Sequence, residues 1–255
     1  MDNCGFFSFF KNMKQNVNTI IIAVAVIITG FLLANGYKNR SKVTDAISVT
    51  GSGEENFTSD LIVWRAGFSK KNYDLKTAYS ELNKDQQTIR KYLLSKGVKA
   101  DELIFEAVDI QKDFAYEYDQ NGQLRNTVFN GYQLTQNLKI QSKNVDGVEN
   151  ISREVTELID AGVELTSYAP EYYYTKLAQL KLKMIESATK DAKNRADKIA
   201  ENAGGSLGKL KIADMGVFQI TGENSSEQFS WGGNFNTSSK KKTANITIRL
   251  KYEIN

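Results

Sequence analysis

The chain has 255 residues, enough for a core of its own in one or two domains, and its 33 basic and 30 acidic residues leave a net charge of only +3. So even a balance, spread along the chain, argues against a nucleic-acid footprint. With no histidine the commonest general base and metal ligand is missing, and a lone cysteine (Cys4) and a lone proline (Pro170) leave no disulfide framework and no proline-rich linker.

Residues 1–16 form a short N-terminal segment. Val17 to Ala34 (VNTIIIAVAVIITGFLLA) then runs uncharged, with Lys11 and Lys14 before it and Lys38, Arg40 and Lys42 after it. The run reaches the lower limit for crossing a hydrocarbon core of ~30 Å. A retained anchor over 17–36 competes with a cleaved signal peptide, for which Ala34-x-Gly36 is a passable small-residue site. The length of the run and the basic flank behind it favour the anchor. The flanking charges divide too evenly to orient it. Cys4 lies before the run, not after it as a lipoprotein cysteine would. Residues 37–45 read as a polar tether to a folded region over 46–255.

Ile47 to Glu54 alternates as a glycine-rich strand and Leu61 to Phe68 reads as a second. Gly51 and Gly53 superficially suggest a phosphate loop, but no helix opens after them and no Gly-Lys-Ser/Thr follows. Asn72 to Ser95 is helical, with Leu75, Ala78, Leu82, Ile89 and Leu93 on one side and Gly97 as the stop. Leu103 to Asp113 reads as one strand. Asn121-Gly122, within Ala115 to Asn126, is a strong hairpin signal. The returning strand, Phe129 to Gln141, sets Tyr132, Leu134, Gln136, Leu138 and Ile140 on one face. A helix over 146–161 turns Val148, Ile151, Val155, Leu158 and Ile159 inward and stops at Gly162. Glu164 to Tyr174 reads as a strand with an aromatic end, Tyr168, Tyr172, Tyr173 and Tyr174. Those rings are either buried with wet hydroxyls or form a stacking platform.

The longest pattern runs from Glu171 to Gly204, after Pro170. Leu177, Leu180, Met184, Ala188, Ala192, Ala196, Ile199 and Ala203 recur with a period of about 3.7 residues, which is helical. Within it Ala188, Ala192, Ala196 and Ala200 form an i,i+4 ladder that lets the helix lie close to whatever it covers. Lys181, Lys183, Lys190, Lys193, Asn194, Asp197 and Lys198 mark the outer face, with Glu186→Lys190 in the favourable order. Leu207 to Ile220 and Thr243 to Ile254 then pair as a final hairpin, the latter alternating Ala244, Ile246, Ile248, Leu250 and Tyr252. Between them, residues 221–242 have the composition of a flexible loop. Phe229, Trp231 and Phe235 within it are candidate contact residues. Lys240-Lys241-Lys242 reads as a solvated charge run, or as an anionic-lipid contact if that edge faces a membrane.

Three segments, in this order, resemble the SIMPL-domain family of bacterial envelope proteins. They are Val49-Thr50-Gly51-Ser52-Gly53-Glu54 opening a strand pair, Gly131-Tyr132 leading into a strand, and the alanine-rich helix ending Ala203-Gly204-Gly205-Ser206-Leu207-Gly208. The resemblance covers about Ala46 to Ile254. It implies a secreted or envelope setting, self-assembly, and a link to envelope or oxidative stress, and it brings no established catalytic residues.

The element order gives an α+β fold of mostly antiparallel sheets with helices packed on them, plus the N-terminal transmembrane helix. The expected function is that of a non-catalytic, single-pass membrane protein with its domain outside the cytoplasm. It would form a homo-oligomer or bind other envelope proteins, without cofactor, metal or nucleic acid. A ligand- or peptide-binding envelope module is the alternative. An enzyme built on carboxylates and tyrosines fares worse: there is no histidine and no metal-ligand cluster, and Gly204-Gly205-Ser206-Leu207-Gly208, the one Gly-x-Ser-x-Gly, follows a helix and not the strand that a nucleophile elbow requires. Glu106 and Asp109 would point from opposite faces of a strand, and Glu54 and Glu55 are adjacent, so neither pair makes an acid/base dyad.

Overall fold

The computed structural model of the chain describes residues 20–37 and 46–255. The expectations placed on Cys4, on the flanking basic residues and on the tether at 38–45 lie outside them. Helix α1 (Ile20–Tyr37) has a mean hydropathy of 2.2 and no buried residue. It is long and apolar enough to cross a membrane, and a signal sequence near an N-terminus has the same character.

The folded region opens β1 (Ala46–Thr58), β2 (Leu61–Asn72), α2 (Leu75–Ser95), β3 (Leu103–Phe105), β4 (Asp109–Tyr118) and β5 (Leu124–Ser142). It continues α3 (Val145–Glu154) with a 3-10 turn over Val155–Ala161, then β6 (Leu165–Ser167), β7 (Glu171–Tyr173) and α4 (Leu177–Asn202). It closes with β8 (Leu207–Met215), β9 (Gln219–Gly222) and β10 (Lys241–Ile254). This is an α+β fold with antiparallel sheets and, among the described residues, four helices.

The first sheet has the order β1-β10-β8, with β9 also on β10. Alternation builds it: Ile47 and Val49 of β1 and Ala244, Ile246, Ile248, Leu250 and Tyr252 of β10 are buried toward α4. Helix α4 offers Leu180, Met184, Ala188, Ala192, Ala196 and Ala200 in return. The alanine ladder meets glycine. A Cβ on Gly53 would stand 2.6 Å from the Met184 carbonyl oxygen, and one on Gly51 would stand 2.7 Å from the Ala192 methyl. Strand backbone therefore lies directly on helix backbone, and a side chain on either partner would separate them.

The stripe departs from expectation at its C-terminal end, where Ala200 is buried while Ile199 is half-exposed and Ala203 exposed. A row at i,i+4 drifts about 40° per step around a helix with 3.6 residues per turn, so the contact line winds along α4 as the sheet beneath it twists. The helix also starts at Leu177 and not at Glu171, because Glu171, Tyr172 and Tyr173 pair with Val63, Ile62 and Leu61 of β2. On its outer face Asp191 pairs with Arg195 and Lys198 with Glu201, in place of the expected Glu186→Lys190.

The second sheet has the order β3-β5-β2-β6, with β4 on β5 and β7 on β2. Helices α2 and α3 cover one face, burying Ile62, Trp64, Leu82, Ile89, Leu134, Leu138, Ile140 and Ile151. The side chain of Asp74 caps α2 by accepting from the Thr77 amide at 2.8 Å. Several boundaries differ from expectation, each for a local reason. The 103–113 strand breaks at 106–108, where the buried Gln136 amide donates to the Glu106 carbonyl at 2.8 Å. The hairpin uses the longer turn 119–123, in which Asp119 Oδ1 accepts the Asn121 and Gln123 amides at 2.9 Å each. Ile159 faces solvent because the helix tightens to 3-10 geometry beyond Glu154, which rotates it off the buried line. The 164–174 strand is split around Tyr168–Pro170 into β6 and β7.

Candidate functional site

Residues 221–242, expected as a flexible loop, carry hydrogen bonds along their length. The anchor is Lys242. In β10 it occupies the inward phase of the alternation that continues through Ala244 and Ile246, and its side chain is among the most completely buried in the chain. Its ammonium donates to the Tyr172 carbonyl of β7 at 2.7 Å and to the Asn236 carbonyl, and it lies 5.9 Å from the Phe235 ring centre. One cation thus joins the first sheet, the second sheet and the loop. Burial lowers its pKa to about 8, against a smaller opposing effect of the Glu227 carboxylate. Glu227 in turn accepts the Gly222 amide at 3.1 Å and bonds the Asn236 side chain.

Around this anchor the two halves of the domain are stitched by backbone. Ser59 N donates to Lys240 O (2.9 Å), Asp60 N to Tyr173 O (3.0 Å) and Tyr172 N to Thr237 O (2.7 Å). Lys240 bridges to Asp146 and Glu149, which raises the lysine pKa and lowers that of Glu149. The expected solvated run is therefore divided: Lys241 is exposed, Lys240 is ion-paired and Lys242 is buried.

The three candidate contact aromatics separate. Phe235 is half-exposed and partners Lys242. Phe229 and Trp231 stand above a cleft of roughly 370 Å³ at the end of β9. The loop tip that carries them is fixed by Gln219, whose Oε1 accepts the Ser230 and Asn234 amides at 3.3 and 2.7 Å and whose Nε2 donates to the Ser230 carbonyl at 2.7 Å. Trp231 itself is fully exposed.

The family-motif residues prove structural in placement. Gly51 and Gly53 form the seam with the ladder Ala188, Ala192, Ala196 and Ala200. Glu54 is exposed, 3.4 Å from the Asn245 side-chain amide. Gly131 does not open a strand but forms a bulge within β5, where Asp113 pairs with Gly131 and Phe114 with Phe129. Its φ of +107° and the Asn72 carbonyl, 2.7 Å from where a Cβ would stand, both require glycine. Tyr132 follows against Asn72, its ring 5.2 Å from that of Phe129. Gly204 ends α4 with φ +80°, and Gly208 packs beside Glu253.

The carboxylates and tyrosines do not converge. Glu55 pairs with Lys183 at 2.6 Å, Glu106 lies in the break before β4, and Asp109 accepts from Gln111. Tyr172 is buried, Tyr168 is exposed, and Tyr173 donates to Glu171 at 3.2 Å. Among the described residues no group of three or more Cys, His, Asp or Glu is placed to hold a metal.

A second surface was not visible from the pattern. Beyond Tyr132, β5 is paired only with β4, so the segment 114–118 with 124–129 is a free two-stranded ribbon. Its register places Phe114 opposite Phe129, Tyr116 opposite Thr127 and Tyr118 opposite Leu124. One face is thus aromatic, and all of these apolar side chains are exposed.

The model of the SIMPL family, described as a protein of unknown function (DUF541), matches residues 47–249. The chain belongs to the SIMPL family. No curated protein matches it.

Proposed function

We propose that this is a non-catalytic envelope protein, retained in the cell membrane by α1 as a single pass, whose folded domain lies outside the cytoplasm and self-associates. The observation that carries self-association is the aromatic face of the β4–β5 ribbon. A two-stranded ribbon alone is marginal in water, and an exposed aromatic face on it favours a partner surface. The non-catalytic reading is supported by the fate of the shifted groups. Lys96 is raised by Glu157 and Glu154, Asp113 is lowered by Lys71, and Lys242 is enclosed by carbonyls, so each is committed to a structural contact. The tie to envelope or oxidative stress comes from the family resemblance.

Light scattering of the full chain in detergent should give a mass above that of the monomer, and Tyr116→Glu should return it to the monomer by placing a charge on the ribbon face. A monomeric wild-type chain would refute the reading. Anchoring has its own measurement: mass spectrometry of the membrane fraction should find α1 attached, and a mature N-terminus near Tyr37 would show cleavage instead. A second reading, a ligand-binding envelope module, is favoured by the cleft beneath Trp231.

A further inference from the structure

That cleft lies between the 223–240 loop and the face of β10 that α4 leaves uncovered. Its volume of roughly 370 Å³ falls within the range of small-molecule sites. Phe229, Trp231 and Val217 form its walls, Asn245 and Thr247 its floor, and no lining residue carries a charge. Tryptophan is highly buried on average. Here it is fully exposed on a turn that Gln219 and Ser230 hold in place, Ser230 Oγ accepting the Gly232 amide at 3.2 Å. The indole is therefore presented to solvent by a rigid tip.

The chemistry of the walls selects among occupants. A phosphate or carboxylate ligand would leave its charge unmatched in a site without a cation. A strand-like peptide needs free edge backbone, but Gly216 N already donates to Thr247 O and Ile220 N to Asn234 O. A membrane surface calls for a cluster of basic residues beside the aromatics, whereas no basic residue lines the cleft, Lys240 is ion-paired and Lys242 buried, and of the three only Lys241 is exposed. What remains is a ligand with apolar faces and uncharged hydroxyl or amide edges.

We propose that this cleft binds a neutral oligosaccharide, with Trp231 and Phe229 stacking on the apolar faces of the sugar rings and Asn245 and Thr247 bonding their hydroxyls. This goes beyond the membrane-anchored, self-associating reading and does not depend on it.

The chain has two tryptophans, Trp64 fully buried and Trp231 fully exposed, so the red edge of the emission belongs to Trp231. The full chain in a sugar-free detergent is titrated with tetrasaccharides of β-1,4-glucose, α-1,4-glucose and β-1,4-N-acetylglucosamine. At least one should give a saturable blue shift. By calorimetry that binding should vanish in Trp231→Ala, which removes no packed contact, and weaken by about tenfold in Phe229→Ala. No shift with any of the three overturns the proposal. A shift only with anionic phospholipid vesicles assigns the cleft to a membrane, and a shift on raising protein concentration alone assigns it to a second copy; either overturns it too. Light scattering on the same samples separates the two proposals, because Trp231→Ala should leave oligomer size unchanged and Tyr116→Glu should leave sugar binding unchanged.

Discussion

Gly51→Val is expected to cost ~3 kcal/mol or more, the upper end of what overpacking does, in a domain whose whole stability is of order 5–15 kcal/mol. The added Cβ would press on the Ala192 methyl 2.7 Å away and on the main chain of α4 at Ala188 and Ala192. Main chain has no rotamer with which to move aside, so the helix must lift. Lifting it would open the seam along Ala188, Ala192 and Ala196, all fully buried. Ala192→Leu strains the same seam from the other side and should cost ~1–3 kcal/mol, although leucine is nearly as good a helix former as alanine. Two controls separate packing from propensity. Ser52→Val changes the next residue of β1, on the uncovered face, and Asn194→Leu changes the exposed face of α4; both should stay within ~0.5 kcal/mol. Chemical denaturation followed by circular dichroism compares the four variants. Equal midpoints would show that strand and helix are not in close contact.

The helix side of that seam was legible in the sequence as small residues at a period of four, whereas its partners Gly51 and Gly53, about 140 residues away, are identified only by the fold. The main elements were legible from their periods in the same way. Their ends were not, because ends are decided by partners distant in the chain. Glu171–Tyr173 falls under both the 164–174 strand pattern and the start of the long helical one, and its pairing with β2, distant in the chain, decides for the strand. The break at 106–108 depends on Gln136, thirty residues onward. In the 221–242 stretch composition conceals the hydrogen bonding of the loop. Glycine, serine and asparagine suggest disorder when their side chains face water, but here Gln219, Glu227, Ser230 and Asn236 bond to backbone or to one another. The signal that could have found the anchor was present. Lys242 is in phase with Ala244, Ile246 and Ile248, and a lysine at an inward strand position must meet acceptors. Three lysines in a row disguised it as a charge run.

Lys242→Met is expected to lower stability by ~2 kcal/mol at pH 7, since the Tyr172 and Asn236 carbonyls lose a donor, and an unsatisfied buried group costs ~1–3 kcal/mol. Relief from burying a charge offsets part of that loss. The more specific consequence is the pH dependence. In the folded chain Lys242 titrates at about 8, whereas an unperturbed lysine titrates near ~10.4. Between those values the unfolded chain holds the proton and the folded chain releases it, so stability rises with pH over that window. The full difference would be worth ~3 kcal/mol, an upper bound because two carbonyls and the Phe235 ring favour the charged form. Above pH ~10 the trend reverses, since burial raises the pKa of Tyr172 and Tyr252, and the folded chain then keeps protons that the unfolded chain loses. The rise between pH 8 and 10 is therefore the lysine's own. Denaturation midpoints of the wild type should climb across it, while those of Lys242→Met should stay flat, so that the gap between the two widens with pH. Parallel curves would mean that Lys242 keeps an ordinary pKa and that the carbonyls of Tyr172 and Asn236 fully replace its water.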